Sequence, residues 1–515
     1  MLKNKMESRT KNAVRNIFAG MINKIIMLLF PFMIRTVIYR VLGEEYLGLN
    51  SLFGSILQVL NLAELGFGSA VVFSMYKPIA ENDTETICAL MNLYKRIYFI
   101  IGVVVSSLGI CILPIIPYLI KGTYPNDINI YFLFILYLIN TSFTYFLFAY
   151  KSVLLIAHQR SDITSNVLTF SFSIQYVFQI IVLYITHNYY LFMVVNLFTT
   201  VLNNIIVSVI VDKKYPQYKC SGNVSSELKE QIKKKVFGLL IQRVCATTRN
   251  SLDSIFISFF LGLGYVALYN NYYYVMNSVI GFMGIISTAI LAGVGNSIVT
   301  ETKEKNYNDM SKFNFIYMWL AGIATVCMLC LYQPFIVLWM GRKCVLPFSI
   351  VVLMCIYFYV LKMGDMRATY SDAAGLWWEN RYRALSETIA NILLNIILGK
   401  FFGLVGIILA TLISLFVINY LYGSQILFNF YFTDISVFDY FKKNTVYLIT
   451  TCVAGLLSLK ITDLIKFNGI IGILAKLVLC LIVTNLIYVL FFFRTKHFKE
   501  SCLFVKTVIK KRFSV

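Results

Sequence analysis

The feature that most constrains this chain is a succession of apolar runs, with no stretch of ordinary soluble-domain sequence between them. A helix needs about 20 apolar residues to cross the ~30 Å hydrocarbon core of a bilayer. Of the 515 residues, 59% are hydrophobic and 13% are charged, whereas a soluble domain has about 25% charged residues. The runs therefore predict a multi-pass membrane protein.

Hydropathy predicts an all-α membrane protein with about fourteen transmembrane helices. Barrel strands are excluded because they alternate polar and apolar residues over about ten residues, and the runs here are longer. The second and eighth spans are long enough to be tilted or broken. The predicted spans are 17–39, 46–76, 97–120, 128–150, 165–186, 189–211, 236–260, 265–299, 313–338, 347–371, 383–401, 404–426, 444–463 and 469–493.

Basic residues are concentrated in alternate loops, which predicts that the N- and C-termini are both cytoplasmic. The net charge of +21 is then a topology signal, and no nucleic-acid partner is expected. The first 15 residues are polar and basic, so no cleavable signal peptide is predicted. The basic clusters on the cytoplasmic side include Lys3, Lys5, Arg9, Lys11, Arg15, Lys213, Lys214, Lys219, Lys229, Lys442, Lys443, Arg494, Lys496 and Lys499.

The first half of the chain repeats weakly in the second half. Leu42-Gly43 aligns with Leu261-Gly262, and Lys24 aligns with the cation Arg243. Spans one to six map onto spans seven to twelve in order and orientation. This predicts two pseudo-symmetric six-helix bundles plus two C-terminal helices, a transporter architecture in which the bundles move about a central cavity. The predicted domains are the N-terminal bundle 1–215, the C-terminal bundle 216–430, and 431–515 with two additional spans and a basic cytoplasmic tail.

Ionisable side chains at membrane depth are the candidate site residues, because each costs at least ~2.5 kcal/mol unless it faces a cavity or a partner. Lys24 and Arg35 project from one face of span one, and snorkelling to the membrane surface is the alternative for both. Arg249 lies deep in span seven, with Asp253 one turn later and Arg243 nearer the helix end. A structural ion pair is the alternative for Arg249 and Asp253.

Span ten carries a charged stripe. Lys362, Asp365 and Asp372 lie on one side of the predicted helix, and Arg367 lies elsewhere on it. Such a stripe indicates a hydrated interior. The alternative is an inter-helix salt-bridge lock.

Glu64 lies in the middle of span two, beside Gly66 and Gly68. Glycine pairs loosen a membrane helix, so a break is predicted at this point. A carboxylate beside a break would either bind a proton or cation or cap a neighbouring helix, and both interpretations stay open.

The sequence lacks the residues and motifs that several classes of function require. Cys327 and Cys330 form a C-x-x-C inside a predicted span, without a second cysteine or histidine cluster, which indicates packing residues. With three histidines in all, neither a zinc site nor a histidine-based catalytic centre is expected. The absence of a G-x-x-x-x-G-K-[ST] motif and of a loop long enough for a nucleotide-binding domain argues against an ATP-driven pump. No cofactor is expected apart from a possible H⁺ or Na⁺ coupling ion.

Three segments resemble Wzx-type polysaccharide-repeat flippases of the multidrug/oligosaccharidyl-lipid/polysaccharide exporter superfamily. The resemblance extends over the whole chain and is strongest across residues 11–82. The segments are Lys11-Asn-Ala-Val-Arg-Asn-Ile-Phe18, Val41-Leu-Gly-Glu-Glu-Tyr-Leu-Gly-Leu-Asn50 and Leu60-Asn-Leu-Ala-Glu-Leu-Gly-Phe-Gly-Ser-Ala70.

The resemblance implies a flippase of the bacterial cytoplasmic (inner) membrane. Such proteins move undecaprenyl-pyrophosphate-linked oligosaccharide repeat units from the inner to the outer leaflet by alternating access, for O-antigen, capsule or similar polymers. The implied partners are this lipid-linked substrate, membrane lipids, a polysaccharide polymerase and glycosyltransferases. Family members have a cation-lined lumen, which suits a pyrophosphate that loses its hydration. The matching candidates for substrate binding are Lys24, Arg35, Arg243, Arg249, Lys362 and Arg367. The candidates for ion coupling or gating are Glu64, Asp253 and Asp365.

Four alternatives stay open. A drug or cation exporter of the same superfamily would have a carboxylate-dominated cavity, whereas basic residues prevail at depth here. A flippase for the peptidoglycan lipid precursor is close in fold. A membrane polymerase or acyltransferase would need a large outside loop or a buried histidine, so the chain is not expected to be an enzyme. The last alternative is a non-transporting scaffold for a glycosylation complex.

Overall fold

The computed structural model describes residues 2–64, 67–465, 467 and 469–503, and these ranges are helical and contain no strand. The prediction of an all-α membrane protein is confirmed. Leu65, Gly66 and the end of the basic tail, 504–515, lie outside the described residues, as does the side chain of Arg243. The α-helices are α1 (Leu2–Val41), α2 (Glu44–Leu60), α3 (Phe67–Glu81), α4 (Thr84–Ile112), α5 (Ile130–Phe146), α6 (Ser152–Ala157), α7 (Ser161–Thr186), α8 (Tyr189–Lys214), α9 (Ser226–Leu261), α10 (Leu263–Thr300), α11 (Lys303–Met340), α12 (Phe348–Met363), α13 (Asp365–Ala373), α14 (Arg381–Ile413), α15 (Gly423–Phe430), α16 (Val437–Thr462) and α17 (Gly469–Phe492).

The chain is a multi-pass membrane protein, but the predicted count of fourteen spans is not confirmed. Within the described residues, 10 helices are long and apolar enough to cross a membrane, or 11 if the bent pair α5 and α6 forms one span. The predicted span 46–76 is divided by a break into α2 and α3, of 17 and 15 residues. The predicted span 236–260 lies within α9, which carries charged residues along its length.

Predicted spans eleven and twelve occur as one helical run from Arg381 to Phe430. Gly403 has φ 56° and ψ −131°, which are not helical values, so the run consists of two arms joined at a kink. A Cβ on Gly406 would lie 1.9 Å from the carbonyl oxygen of Leu398. Only glycine therefore allows the two arms to approach this closely.

The repeat found in the sequence includes a matching turn. Gly43 precedes α2 with φ 109° and ψ −179°, and Gly262 separates α9 from α10 with φ 96° and ψ 176°. Residues with a side chain rarely adopt this region, so both positions favour glycine. At Gly262 a Cβ would also lie 2.7 Å from the carbonyl oxygen of Lys121. The two aligned glycines thus share one backbone conformation.

The chain divides into two compact units, Met1–Ala267 and Leu268–Val515. In the first unit, α1 packs against α7, α7 against α8, α4 against α5, and α2 against α9. In the second unit, α11 is the central helix and packs against α12, α16 and α17. The domain boundaries 1–215, 216–430 and 431–515 stay a prediction.

Candidate functional site

A helix break in the first unit places a carboxylate within a cluster of tyrosines. Helix α2 ends at Leu60, residues Asn61–Glu64 form a single 3₁₀ turn, and α3 begins at Phe67. The break predicted beside the glycines is therefore present. The 3₁₀ turn carries the half-buried side chain of Glu64 at its end.

Three tyrosines, Tyr94, Tyr98 and Tyr145, surround this turn, and we call them the tyrosine cage. The hydroxyl of Tyr98 donates a hydrogen bond to Oε1 of Glu64. The hydroxyl of Tyr145 donates to Oδ1 of Asn61 at 3.0 Å, and its ring lies 5.7 Å from that of Tyr98. The rings of Tyr94 and Tyr98 are 4.4 Å apart. Among the described residues, Glu64 forms no salt bridge, so phenol groups rather than cations hold this carboxylate.

Local sequence positions the tyrosine cage. Tyr94 and Tyr98 are four residues apart on α4, so both side chains lie on one face of the helix. A Cβ on Gly68 would lie 2.9 Å from the Tyr94 hydroxyl, so the glycine at the start of α3 makes room for it. A carboxylate that accepts from a phenol can gain or lose a proton without abandoning a charged partner.

The two cations of span one differ in their surroundings. The side chain of Lys24 is exposed, whereas Arg35 is half-buried and its Nη1 donates to Oγ of Ser51 at 3.4 Å. The neighbouring Asn23 donates through Nδ2 to Oγ1 of Thr169 at 3.1 Å, which fixes that side of α1 against α7. Lys24 and Arg35 are therefore both accessible to a ligand, at least in part.

Two charged residues of span seven are buried in the first unit. Arg249 and Asp253 are 9% and 1% exposed. The intervening Ser251 donates to Oε1 of Gln58 at 3.1 Å, which ties α9 to α2. Because Gln58 is two residues before the end of α2, this contact lies within one helical turn of the helix break.

In the second unit, Lys362 and Asp365 form an ion pair. Nζ of Lys362 is 2.6 Å from Oδ2 of Asp365, and the lysine side chain is 4% exposed. The Tyr317 hydroxyl donates to the same oxygen at 2.5 Å. The charge of Lys362 is therefore compensated within predicted span ten, and Tyr317 of α11 contacts the same carboxylate.

Arg367 belongs to a second buried network, formed by α13, α14 and the π-helix Ser414–Tyr422. Its Nη2 donates to the carbonyl oxygen and Oδ1 of Asn419 at 2.9 and 2.8 Å. Nδ2 of Asn419 donates to Oε2 of Glu387 at 2.8 Å, and Nη1 of Arg383 donates to the same oxygen at 2.8 Å. A Cβ on Gly423 would lie 2.8 Å from Cζ of Arg367, so glycine makes the space for the guanidinium. The network joins span ten to the two arms beyond it.

Sequence reasoning missed the partners that define these sites. Tyr98, Tyr145 and Tyr317 are three of 35 tyrosines, and nothing local distinguishes them. Asn419 lies in a π-helix, and the sequence does not predict a π-helix at this position. Of these partners, only the Arg383–Glu387 pair could have been predicted from the sequence, since opposite charges four residues apart favour contact on one helix face.

No cluster of histidine, cysteine, aspartate and glutamate suited to a metal ion occurs among the described residues. Cys330 lies in an apolar cluster with Val326, Ala454, Cys480 and Ile487, and Cys327 packs against this cluster. This environment supports the interpretation of the C-x-x-C as packing residues.

The structure of this chain is similar to solved structures of transporters. The lipid II flippase MurJ, in an inward closed conformation, has a TM-score of 0.67 at 16% identity, over 94% of this chain and 99% of that chain. The chain has the fold of this flippase. An inward-facing multidrug resistance MATE transporter of the MOP superfamily has a TM-score of 0.61 at 15% identity, over 76% of this chain and 93% of that chain. The MATE transporter VcmN of Vibrio cholerae has a TM-score of 0.55 at 12% identity, over 84% and 99%.

At the level of sequence, comparison with protein-family models gives no match, and neither does comparison with curated proteins. The resemblance is therefore one of fold, shared with transporters of the multidrug/oligosaccharidyl-lipid/polysaccharide exporter (MOP) superfamily. The structures do not distinguish a Wzx-type flippase from other members with this fold.

Proposed function

We propose that the protein is a flippase that moves undecaprenyl-pyrophosphate-linked oligosaccharide repeat units from the cytoplasmic to the outer leaflet by alternating access. The observation that carries the proposal is the fold, which resembles a lipid II flippase over 94% of the chain. A flippase for lipid-linked sugars must hold a charged headgroup while the lipid tail stays in the bilayer. The acidic headgroup of this substrate agrees with the basic residues that lie in or near the spans.

Among the six candidate substrate-binding cations, the first unit supplies those most able to meet a ligand. Lys24 is exposed and Arg35 is half-buried. Arg249 is buried, and alternating access would expose it only when the packing of α9 changes. Lys362 is paired with Asp365, and Arg367 is held by Asn419. We therefore propose that Lys24 and Arg35 of α1, with Arg249 and Arg243 of α9, bind the pyrophosphate, and that Lys362 and Arg367 contribute less.

Among the candidate coupling carboxylates, Glu64 is the strongest, and we propose that the ion is a proton. Asp365 is compensated by Lys362 in an ion pair, and Asp253 is 1% exposed. Glu64 is held by a phenol donor, which suits protonation, whereas Na⁺ prefers several oxygen acceptors around it. Protonation of Glu64 would remove the negative charge that accepts from Tyr98, which would weaken this hydrogen bond and loosen the turn between α2 and α3.

The proposal places the protein in the bacterial inner membrane, with both termini in the cytoplasm. Its product would be the substrate of a polysaccharide polymerase on the outer side, and its own substrate would come from glycosyltransferases on the inner side. The protein itself would be a transporter for surface polysaccharide biosynthesis and not an enzyme.

The test is a strain that lacks the protein. We expect lipid-linked repeat units to accumulate on the inner leaflet, and the intact gene to restore export. Arg249→Ala should reproduce the accumulation, while Arg249→Lys should restore part of the export because it keeps the charge. Arg342→Ala, at an exposed position in the 3₁₀ turn after α11, is the matched control and should export normally. Normal export with Arg249→Ala would remove Arg249 from the site.

Two other functions have specific support from the comparisons. Translocation of the peptidoglycan lipid precursor is supported by the likeness to the lipid II flippase, and drug export by the likeness to MATE transporters. Rescue of a strain that lacks its lipid II flippase would favour the first. Drug resistance conferred without any change in surface polysaccharide would favour the second.

A further inference from the structure

An ordered turn in the second unit carries an exposed cluster of aromatic rings around one arginine. The turn connects α13, which ends at Ala373, with α14, which begins at Arg381. The side chain of Asn380 is 1% exposed and donates to Oγ of Ser371 and to the carbonyl oxygen of Leu376 at 2.9 and 2.8 Å. The turn is therefore fixed from within, while its outer side is exposed.

The guanidinium of Arg381 contacts two aromatic rings. Its guanidinium carbon lies 3.9 Å from the ring centre of Trp378 and 4.3 Å from that of Tyr382. Nη1 also donates to the carbonyl oxygen of Trp378 at 2.5 Å. No hydrogen bond of Nε or Nη2 and no salt bridge of Glu379 occurs within the described part of the chain. The remaining N–H groups of Arg381 thus form a pre-oriented fork, the geometry that recognises phosphate.

The position of the cluster sets its depth in the bilayer. One apolar span, Phe348–Ala373, ends just before the turn, and the apolar run Arg381–Phe430 begins just after it. Trp378 and Tyr382 are 61% and 62% exposed. Tryptophan and tyrosine favour the level of the lipid headgroups, where an amphipathic ring meets both hydrocarbon and water.

An apolar stripe on α14 leads away from the cluster. The exposed residues Leu385, Ile389, Leu393 and Ile396 follow Tyr382 at helical spacing. At 100° per residue, these five positions fall within an arc of about 80°. A stripe of leucine and isoleucine suits lipid tails and would not suit a cavity for a charged sugar headgroup. Tyr382 therefore stands at the headgroup end of a lipid-facing surface.

We propose that Trp378, Arg381 and Tyr382 form a binding site for the headgroup of an anionic bilayer phospholipid. The guanidinium of Arg381 binds the phosphodiester, Trp378 and Tyr382 lie at the glycerol level, and the acyl chains follow the stripe on α14. A sugar ring is the less suitable occupant, because the guanidinium already covers one face of each ring. The site is independent of the proposed transport function.

The experiment uses the full chain in vesicles that contain no lipid-linked oligosaccharide. Phosphatidylcholine vesicles receive the same fraction of either brominated phosphatidylglycerol or brominated phosphatidylcholine, and quenching of tryptophan fluorescence is measured. Trp377 and Trp378 are the exposed tryptophans, whereas Trp319 and Trp339 are partly buried. Trp378→Phe identifies the share of the quenching that comes from the cluster.

We expect brominated phosphatidylglycerol to bind about fivefold more tightly than brominated phosphatidylcholine. This ratio corresponds to the attraction of about 1 kcal/mol between one arginine and anionic lipid. Arg381→Gln should bring this ratio to about one, and Arg381→Lys should give an intermediate ratio because it keeps the charge but loses the fork. Lys400→Gln, which removes an exposed cation at the far end of the first arm of α14, is the control and should leave the ratio within about twofold of the original. Circular dichroism checks that each variant is folded.

Three results would overturn the proposal. The first is an equal ratio in the original protein and Arg381→Gln. The second is an equal loss in Lys400→Gln, which would indicate unspecific attraction between the basic protein and anionic lipid. The third is quenching by aqueous iodide but by neither brominated lipid, which would place the cluster outside the bilayer. Protection from iodide by a free oligosaccharide would then assign the rings to a sugar.

Discussion

Glu64 in the first unit and Asp365 in the second unit are held in different ways. In the first unit, Glu64 accepts a hydrogen bond from the Tyr98 phenol and forms no salt bridge among the described residues. In the second unit, Asp365 lies 2.6 Å from Nζ of Lys362, and Glu387 lies 2.8 Å from Nη1 of Arg383. Breaking a buried ion pair leaves an uncompensated charge, so paired carboxylates resist change of protonation. We therefore infer that Glu64 exchanges the ion, whereas the Lys362–Asp365 and Arg383–Glu387 pairs maintain the structure of the second unit.

The largest expected effect is a loss of translocation on substitution of Glu64, which tests whether this carboxylate exchanges the ion. Glu64→Gln keeps the shape of the side chain but cannot release a proton, so we expect translocation in vesicles to fall at least about tenfold. The matched control is Asp127→Asn, because Asp127 also accepts from a tyrosine, Tyr46, at 2.5 and 2.6 Å, but lies in a loop. The control should translocate at an unchanged rate. Equal losses in both variants would mean that any phenol–carboxylate contact matters and that Glu64 has no special role.

A loss of stability is expected next, at Asp365. Asp365→Asn leaves the ammonium of Lys362 buried without its counter-charge, so we expect the free energy of unfolding to fall by about 3–5 kcal/mol. Thermal unfolding in detergent measures the change. The control is Lys305→Gln, which breaks the exposed pair with Glu301 and should cost at most about 1 kcal/mol. A destabilisation of Asp365→Asn as small as that of the control would show that the pair is hydrated and does not act as a lock.

A smaller loss of stability is expected at Gly423. A Cβ there would lie 2.8 Å from Cζ of Arg367 and 2.9 Å from Cδ of Arg383, so Gly423→Ala must displace the network. We expect a loss of about 1–3 kcal/mol in the free energy of unfolding. Gly281→Ala, on a helix where no atom lies within 4 Å of the new Cβ, should be neutral or slightly stabilising. If Gly423→Ala behaves in the same way, the guanidinium of Arg367 is not confined.

The smallest expected effect is at Tyr98. Tyr98→Phe removes one hydrogen bond to Glu64 but leaves the carboxylate in place, so translocation should fall by only about two- to fivefold. Tyr118→Phe, at a 78% exposed tyrosine, is the control and should have no effect. A loss as large as that of Glu64→Gln would assign the phenol itself, and not only the carboxylate, to the proton pathway.

The sequence predicted features that depend on local composition. The apolar runs predicted helices throughout, and Gly66 and Gly68 predicted the break beside Glu64. The sequence alignment also paired Gly43 with Gly262, and the structure gives both glycines a positive φ. These features depend on residues close together in the chain.

Features that depend on distant contacts were not predictable. The count of fourteen spans is not confirmed, because a break divides 46–76 and the predicted spans on either side of Gly403 form one helical run. The tyrosine cage brings together residues from α4 and α5 at a turn after α2, and Asn419 reaches Arg367 only through a π-helix. Such contacts follow from the packing of spans, which hydropathy does not encode.

The most direct test of the proposed function is translocation by the purified protein. Vesicles are loaded with undecaprenyl-pyrophosphate-linked oligosaccharide, and an impermeant lectin measures the fraction exposed on the outside, with and without a pH gradient. We predict that this fraction rises only in vesicles that contain the protein, and that the gradient accelerates the rise. A fraction that is the same in protein-containing and empty vesicles, with the variants above correctly folded, would contradict the assignment as a flippase for this substrate.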